Sequence, residues 1–191
     1  MKTIRSNVFE TNSSSTHSIA IPKNCESANY ISFHIGEFGW RFEEVDPADY
    51  FYTAIYVTSN TGIEVEEKIE RLKNILDSHN IEYSFGNADT HIYSYMGDYY
   101  LSLDNGYIDH GGELGDFVDE LLNDGDKLVR FLSRGFVFTG NDNSYAEERC
   151  FIERDTEYLD NYDWSTNTAS NIKNPYYMAD HNDYDWYWKG N

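Results

Sequence analysis

Cysteine is scarce in this sequence: Cys25 and Cys150 are the only two among 191 residues. Two cysteines cannot build a disulfide framework, and neither has a close partner for a zinc site. The start of the chain also lacks the apolar run of a secretory signal, and no stretch approaches the ~20 apolar residues that a membrane span needs. These absences predict a protein of a reducing intracellular compartment that makes no membrane contact.

Basic residues are scarce as well. The chain has 14 Lys and Arg residues against 34 Asp and Glu, which gives a net charge of -20. Phosphate contacts require Lys and Arg, so this balance excludes independent binding of nucleic acid and of anionic membranes. Because 40% of the residues are hydrophobic and 17% are aromatic, we expect one compact domain with a closed core rather than a disordered chain.

The charge is unevenly distributed. Residues 1–23 hold three basic residues and one acid, a net of +2, so the rest of the chain carries -22. Residues 74–126 contain 12 acids and no Lys or Arg. Such a run is typical of a solvated surface, but it also suits a surface that presents negative charges to a basic protein groove. On the second hypothesis, the partner-binding residues are Asp98, Asp104, Asp109, Glu113, Asp116, Asp119 and Glu120.

Hydrophobic patterning predicts an α+β fold with a mixed or antiparallel sheet and two to three helices. Strands are predicted over residues 30–35, 51–58, 81–85 and 136–139. Helices are predicted over residues 63–79, 114–122 and 127–133, the last ending at Gly135. A turn at Asp104-Asn105-Gly106 predicts a hairpin between residues 99–103 and 107–109.

The chain changes character at Glu153, after which it is rich in Tyr, Trp and acids but poor in aliphatic residues. We therefore divide it into an α+β core, residues 1–152, that includes the opening segment, and an acidic aromatic C-terminal extension, residues 153–191. The extension is expected to pack its rings on the core. The alternative is a partner-binding segment, since Tyr and Trp are common interface anchors.

The opening segment, residues 5–18, has the residue types for chemistry on a phosphate. Six of the eight residues from Thr11 to Ser18 carry hydroxyls, and the short strands expected at residues 8–9 and 19–21 predict a tightly held loop between them. His17 suits a general base, Arg5 a phosphate clamp and Glu10 a residue that orients His17 or carries the proton. The substrate-binding candidates are Asn12, Ser13, Ser14, Ser15 and Thr16.

This chemistry has alternatives. A Ser nucleophile activated by His17 is conceivable, but no G-x-S-x-G elbow supports it. A Ser/Thr-rich turn with a structural His17 explains the same residues without catalysis. We predict no metal site and no cofactor: His110-Gly-Gly-Glu113 offers only two ligands, and the Asp residues at 180, 183 and 185 lack the spacing of an EF-hand loop.

The run FETNSSSTH at residues 9–17, preceded by Arg5, resembles a recurrent opening among proteins of phages and mobile elements of Gram-positive bacteria. Proteins of similar size and acidity in that group include type II-A anti-CRISPR inhibitors, some of them associated with truncation of the guide RNA. The resemblance covers about the first 20 residues. It implies the cytoplasm of a bacterial host as the location and a type II CRISPR effector nuclease with its guide RNA as the partner.

Three functional hypotheses follow. In the first, the acidic body docks on the basic channel of the CRISPR nuclease and the opening segment promotes cleavage of the guide RNA, which makes the chain a metal-independent endoribonuclease. In the second, the chain is a non-catalytic, acidic nucleic-acid mimic that blocks a basic groove. In the third, it is a phage enzyme unrelated to CRISPR that uses the same loop.

Overall fold

The computed structural model describes residues 15–141, 153–163 and 165–189. The strands are β1 (Ser15–Pro22), β2 (Tyr30–Phe33), β3 (Glu37–Phe38), β4 (Glu43–Val45), β5 (Glu82–Phe85), β6 (Thr90–Tyr95), β7 (Asp98–Leu103), β8 (Tyr107–Ile108), β9 (Phe136–Asn141), β10 (Tyr158–Asp163), β11 (Thr168–Lys173) and β12 (Tyr184–Lys189). The helices are α1 (Pro47–Val57), α2 (Gly62–Ser78), α3 (Gly115–Asn123) and α4 (Gly125–Arg134), with 3-10 turns at Gly111–Leu114 and His181–Asp183.

The main sheet has four antiparallel strands in the order β12-β1-β9-β4. Its inner strand β1 is buried at all eight positions. Alternate β1 residues point to opposite faces of the sheet, and Ile19 and Ile21 join the core that the helices help to form. On the other face, Ala20 lies opposite Phe136 and Ser18 lies opposite Phe138. Because β1 is buried at every position, both faces of the sheet are covered at this strand.

The strand predicted over residues 51–58 was wrong, because residues 51–57 belong to helix α1 and Thr58 is its C-cap. The helix begins where Asp46 caps it, since the Asp46 carboxylate accepts from the backbone N–H groups of Ala48 and Asp49, and Pro47 occupies the first turn. Tyr50, Phe51 and Tyr52 are all buried. A helix that is enclosed on most sides is apolar on most sides, so its sequence shows no apolar stripe. Its run of aromatic residues then has the composition that is typical of a strand.

The three predicted helices are confirmed as α2, α3 and α4. Thr61 caps α2 through Glu64 N–H, and Asp124 caps α4 through Lys127 N–H. The strand predictions at residues 30–35, 81–85 and 136–139 agree with β2, β5 and β9. The protein is a single α+β domain as expected, with four helices in its described part rather than two or three.

The predicted hairpin between residues 99–103 and 107–109 was wrong. Strand β7 instead pairs with β6, and β8 forms a parallel pair with β3. The hairpin turn lies at Met96 and Gly97, both with positive φ. Gly106 is required for close packing and not for a hairpin turn, because a Cβ on it would clash with the side chain of Ile35.

The C-terminal part contributes both to the sheet and to its outer face. Strand β12 pairs with β1, while β10 and β11 form a separate antiparallel pair. The Tyr176 ring packs edge-on against Phe138, and the buried Arg154 guanidinium lies 4.1 Å from the centre of the Phe138 ring. The division of the chain at residue 153 stays a prediction.

The capping role of Asp46 predicts a defined loss of stability. We expect Asp46→Ala to lower the free energy of unfolding by about 1 kcal/mol, because two backbone N–H groups lose their acceptor, and Asp46→Asn to retain most of it. Glu66→Ala, which removes an exposed acid from the second turn of α2, is the matched control. Urea denaturation measures all three variants, and equal losses for Asp46→Ala and Glu66→Ala would contradict the cap.

Candidate functional site

The predicted catalytic segment is only partly within the described residues. Arg5 and Glu10 lie outside them, as do the substrate-binding candidates Asn12, Ser13 and Ser14. Ser15, Thr16 and His17 lie in β1. The expectation of a loop is therefore wrong for residues 15–18, which pair as a strand with β9 because apolar and aromatic side chains cover both faces of the sheet there.

His17 is held from three directions. Its ring is 1% exposed. The Nδ1 atom lies 3.0 Å from the Tyr50 hydroxyl of α1, and Nε2 lies 2.9 Å from the backbone carbonyl oxygen of Asp109. Ser15 Oγ is 3.1 Å from Nε2. One side chain thus joins the central strand to α1 and to the segment that follows β8.

These contacts determine the arrangement of protons on a neutral His17. A carbonyl oxygen can only accept, so Nε2 carries the hydrogen and donates it to Asp109 O. The Nδ1 lone pair then accepts from the Tyr50 hydroxyl, and burial raises the pKa of that phenol, which keeps Tyr50 a donor. Ser15 Oγ donates to Asp109 O as well. Both ring nitrogens are engaged, so neither is directed at a substrate.

The hydroxyls beside His17 are also enclosed. Ser15 and Thr16 are each 2% exposed. Among the described residues, Thr16 Oγ1 and the neighbouring Thr139 Oγ1 make no hydrogen bond. Residues 5–18 were predicted to act on a phosphate, but from Ser15 onward this segment belongs to the interior of the sheet. The partners Tyr50 and Asp109 are 33 and 92 residues away from His17, so no local pattern in the sequence could have identified them.

His17 should therefore contribute strongly to stability. We expect His17→Ala to lower the free energy of unfolding by about 2–4 kcal/mol, because it opens a cavity and leaves the Tyr50 hydroxyl and Asp109 carbonyl without their partner. Tyr50→Phe, which removes one of these hydrogen bonds, should cost about 1–2 kcal/mol. The exposed His34 provides the control, since His34→Ala should change stability by less than about 0.5 kcal/mol. Chemical denaturation in which His17→Ala loses no more than His34→Ala would disprove this role.

Some of the acids proposed for partner binding form hydrogen bonds or ion pairs within the protein, and others are open to solvent. Asp104 lies 2.6 Å from His91 Nδ1 and Asp109 accepts from the Tyr107 hydroxyl. Glu120 accepts from Lys127 at 2.7 Å and from Tyr187 at 2.8 Å, and these hydrogen bonds, the one from Lys127 first, lower the pKa of Glu120. The Asp104 and Glu120 carboxylates therefore join separate segments of the fold, whereas the Asp109 contact is local to the end of β8.

The remaining acids are more open to solvent. Asp98 is exposed beside the β6–β7 turn, and Asp116 and Asp119 are exposed on α3. Asp119 lies 4.0 Å from Lys68 of α2, which is 8% exposed and lies closer to Glu64, at 3.2 Å. Glu113, the seventh predicted residue, is exposed in the Gly111–Leu114 turn.

We call residues 86–123 the acidic segment. It comprises the hairpin β6–β7, strand β8, the Gly111–Leu114 turn and helix α3, and it contains eight acids and no Lys or Arg. The structure does not gather its carboxylates into one cluster, but distributes them from the hairpin turn to α3. An extended negative surface of this kind steers a basic partner without binding a single ion.

The hairpin has exposed apolar side chains that were not predicted from the sequence. Ile92 is 68% exposed, Tyr95 60%, Met96 86% and Tyr99 73%. Ile92 and Tyr99 share one face of the hairpin, Tyr95 lies on the opposite face and Met96 is in the turn. Exposed apolar side chains on a common face mark interaction sites more often than isolated ones do. The alternation His-Ile-Tyr-Ser-Tyr at residues 91–95 was the available signal for β6.

No protein-family model, curated protein or solved structure matches this chain. Of the helices in the described part of the chain, none has the length and apolar character to cross a membrane. Across residues 15–141, 153–163 and 165–189, no three His, Cys, Asp or Glu side chains are grouped as a metal site.

Proposed function

We propose that this chain is an inhibitor that docks on a basic, nucleic-acid-binding groove of another protein and blocks it without cutting RNA. The observation that carries the proposal is the acidic segment, with eight acids, no Lys or Arg and exposed apolar side chains on its hairpin. Distributed carboxylates can take the place of nucleic-acid phosphates along a groove lined by Lys and Arg. Apolar contacts then add affinity that salt does not screen.

The first partner to test is a type II CRISPR effector nuclease. Its guide duplex lies in a positively charged channel, which a chain with a net charge of -20 complements. The resemblance of residues 9–17 to the phage-type opening is the reason for choosing this nuclease among basic proteins. It is support from the sequence, separate from the surface argument.

Guide-RNA cleavage by this chain stays a prediction, and the geometry around His17 favours the blocking mechanism. A general base needs a lone pair within reach of the proton that it removes. The lone pair of a neutral His17 accepts from Tyr50, and the ring is 1% exposed. Catalysis would require β1 to separate from α1 at a strand that is buried at every position.

Neutralising the solvated acids should weaken docking at low salt. We expect a triple variant, Asp98→Asn, Asp116→Asn and Asp119→Asn, to lower the association rate with the guide-loaded nuclease by about tenfold in low salt, and to flatten the salt dependence of that rate. Stopped-flow or surface-plasmon measurements over a salt series provide the readout.

The matched control removes the same charge elsewhere. Glu26, Glu44 and Glu157 are exposed acids outside the acidic segment, so a triple Gln variant there has an equal net charge. If both triple variants slow association equally, only total charge matters and the docking surface is assigned wrongly. Unchanged rates and salt slopes in both would refute electrostatic docking altogether.

The fate of the guide RNA separates blocking from cleavage. We expect guide RNA incubated with the protein, alone and in the nuclease complex, to stay full-length on a denaturing gel while the complex loses DNA binding. The physical reason is that His17 has no lone pair directed at a substrate. Shortened RNA in the complex, abolished by His17→Gln in a variant shown to be folded, would replace the blocking mechanism with the catalytic one.

A further inference from the structure

Strand β6 has an open edge. Hairpin β6–β7 is a two-stranded sheet, with neither strand joined to a third among residues 15–141, 153–163 and 165–189. The outer side of β7 is partly used, since Leu101 N–H donates to Asn60 O at 2.8 Å. No corresponding backbone hydrogen bond covers β6 within the described chain. An uncovered strand edge offers a row of donors and acceptors to another extended chain.

The register identifies which backbone groups face outward. Leu101 lies opposite Ile92, and its N–H points away from β6 towards Asn60. This makes Ile92 and Leu101 a pair without mutual hydrogen bonds, so Ile92 also directs its N–H and C=O away from β7. The same holds two residues on, for Ser94 opposite Tyr99. Ile92 and Ser94 therefore present the outward pairs of the edge.

The same face of the hairpin offers apolar contact beside that edge. Residues directly opposite in an antiparallel pair point to the same side, so Ile92 and Tyr99 lie on one face with Leu101. Leu101 packs partly against the core, whereas Ile92 is 68% exposed and Tyr99 73% exposed. An added strand would find both hydrogen-bonding groups and an apolar surface for its alternate side chains.

The negative charge around the β6 edge indicates which kind of chain can pair with it. Asp89 and Asp104 flank the hairpin strands, Asp98 begins β7, and residues 74–126 contain no Lys or Arg. A second copy of this chain would bring like charges together at the same edge, which is unfavourable. A segment in which basic and apolar residues alternate matches both properties of the edge.

We propose that β6 receives an extended segment of the partner protein, with alternating basic and apolar residues, as a third strand of the hairpin sheet. This inference rests on the proposed function, because it names the element through which the basic partner is held. The acidic segment guides the approach, and the open edge together with Ile92 and Tyr99 holds the docked partner.

The experiment uses two capped eight-residue peptides, one alternating Lys and Val, the other alternating Lys and Ser. Both carry the same charge, and only the first offers an apolar face. Amide exchange of the full chain, followed by NMR, should show slower exchange at Ile92 and Ser94 with the Lys/Val peptide, by about tenfold at saturation. The Lys/Ser peptide should give little protection.

Ser94→Pro tests the edge itself. Proline at Ser94 removes an outward N–H and leaves the ladder with β7 intact, because the inward pairs are those at Tyr93 and Tyr95. We expect it to weaken binding of the Lys/Val peptide about tenfold, the equivalent of one hydrogen bond. Ser94→Ala, which keeps the N–H, should bind normally. Equal binding of the Pro and Ala variants would overturn the proposal.

Other outcomes are equally decisive. Equal protection by both peptides would mean that charge alone attracts them, which overturns the added strand and leaves the proposed function standing. Protection of Ile92 and Ser94 without peptide, together with a dimer in sedimentation, would assign the edge to a second copy and overturn the proposal. Failure of the proposed function has a different signature, namely no binding to the guide-loaded nuclease.

Discussion

The burial of β1 is the constraint on which the rest of the structure depends. This strand lies between β12 and β9, and its polar residues Ser15, Thr16 and His17 are as enclosed as its aliphatic ones. A buried imidazole is tolerated only when its nitrogens are satisfied. His17 meets this requirement through Tyr50 and the carbonyl of Asp109, and the same contacts fix α1 and the end of β8 against the sheet.

This arrangement separates the molecule into a rigid frame and a surface. The frame contains His17, which was predicted to act as a general base, whereas the surface carries the solvent-exposed acids. In the acidic segment, carboxylates such as Glu120 bind neighbouring elements, while Asp98, Asp116 and Asp119 remain open to solvent. The enclosed candidate base and the exposed acids and apolar side chains are the observations that support the proposal of a docking protein.

Sequence patterns predicted the elements whose signal lies in the spacing of apolar residues close together in the chain. Helix α2 follows from its apolar spacing, and even the missed helix α1 had a start signal in Asp46-Pro47. The hairpin was misplaced because Asp104-Asn105-Gly106 is a strong turn signal, whereas the glycine is needed for close approach to Ile35. The surroundings of His17 were beyond sequence reasoning, since contacts that span 33 and 92 residues leave no periodic trace. The class of the fold was predictable and a structural His17 was among the alternatives, but the partners of this histidine were not predictable.

Hydrogen exchange measured by mass spectrometry on the complex with a guide-loaded type II CRISPR nuclease tests the central claim most directly. The claim is that the acidic segment docks while β1 stays closed. It predicts new protection on binding across residues 86–123, with residues 15–22 exchanging as slowly as in the free protein. Faster exchange in residues 15–22 on binding, with residues 86–123 unchanged, would contradict it.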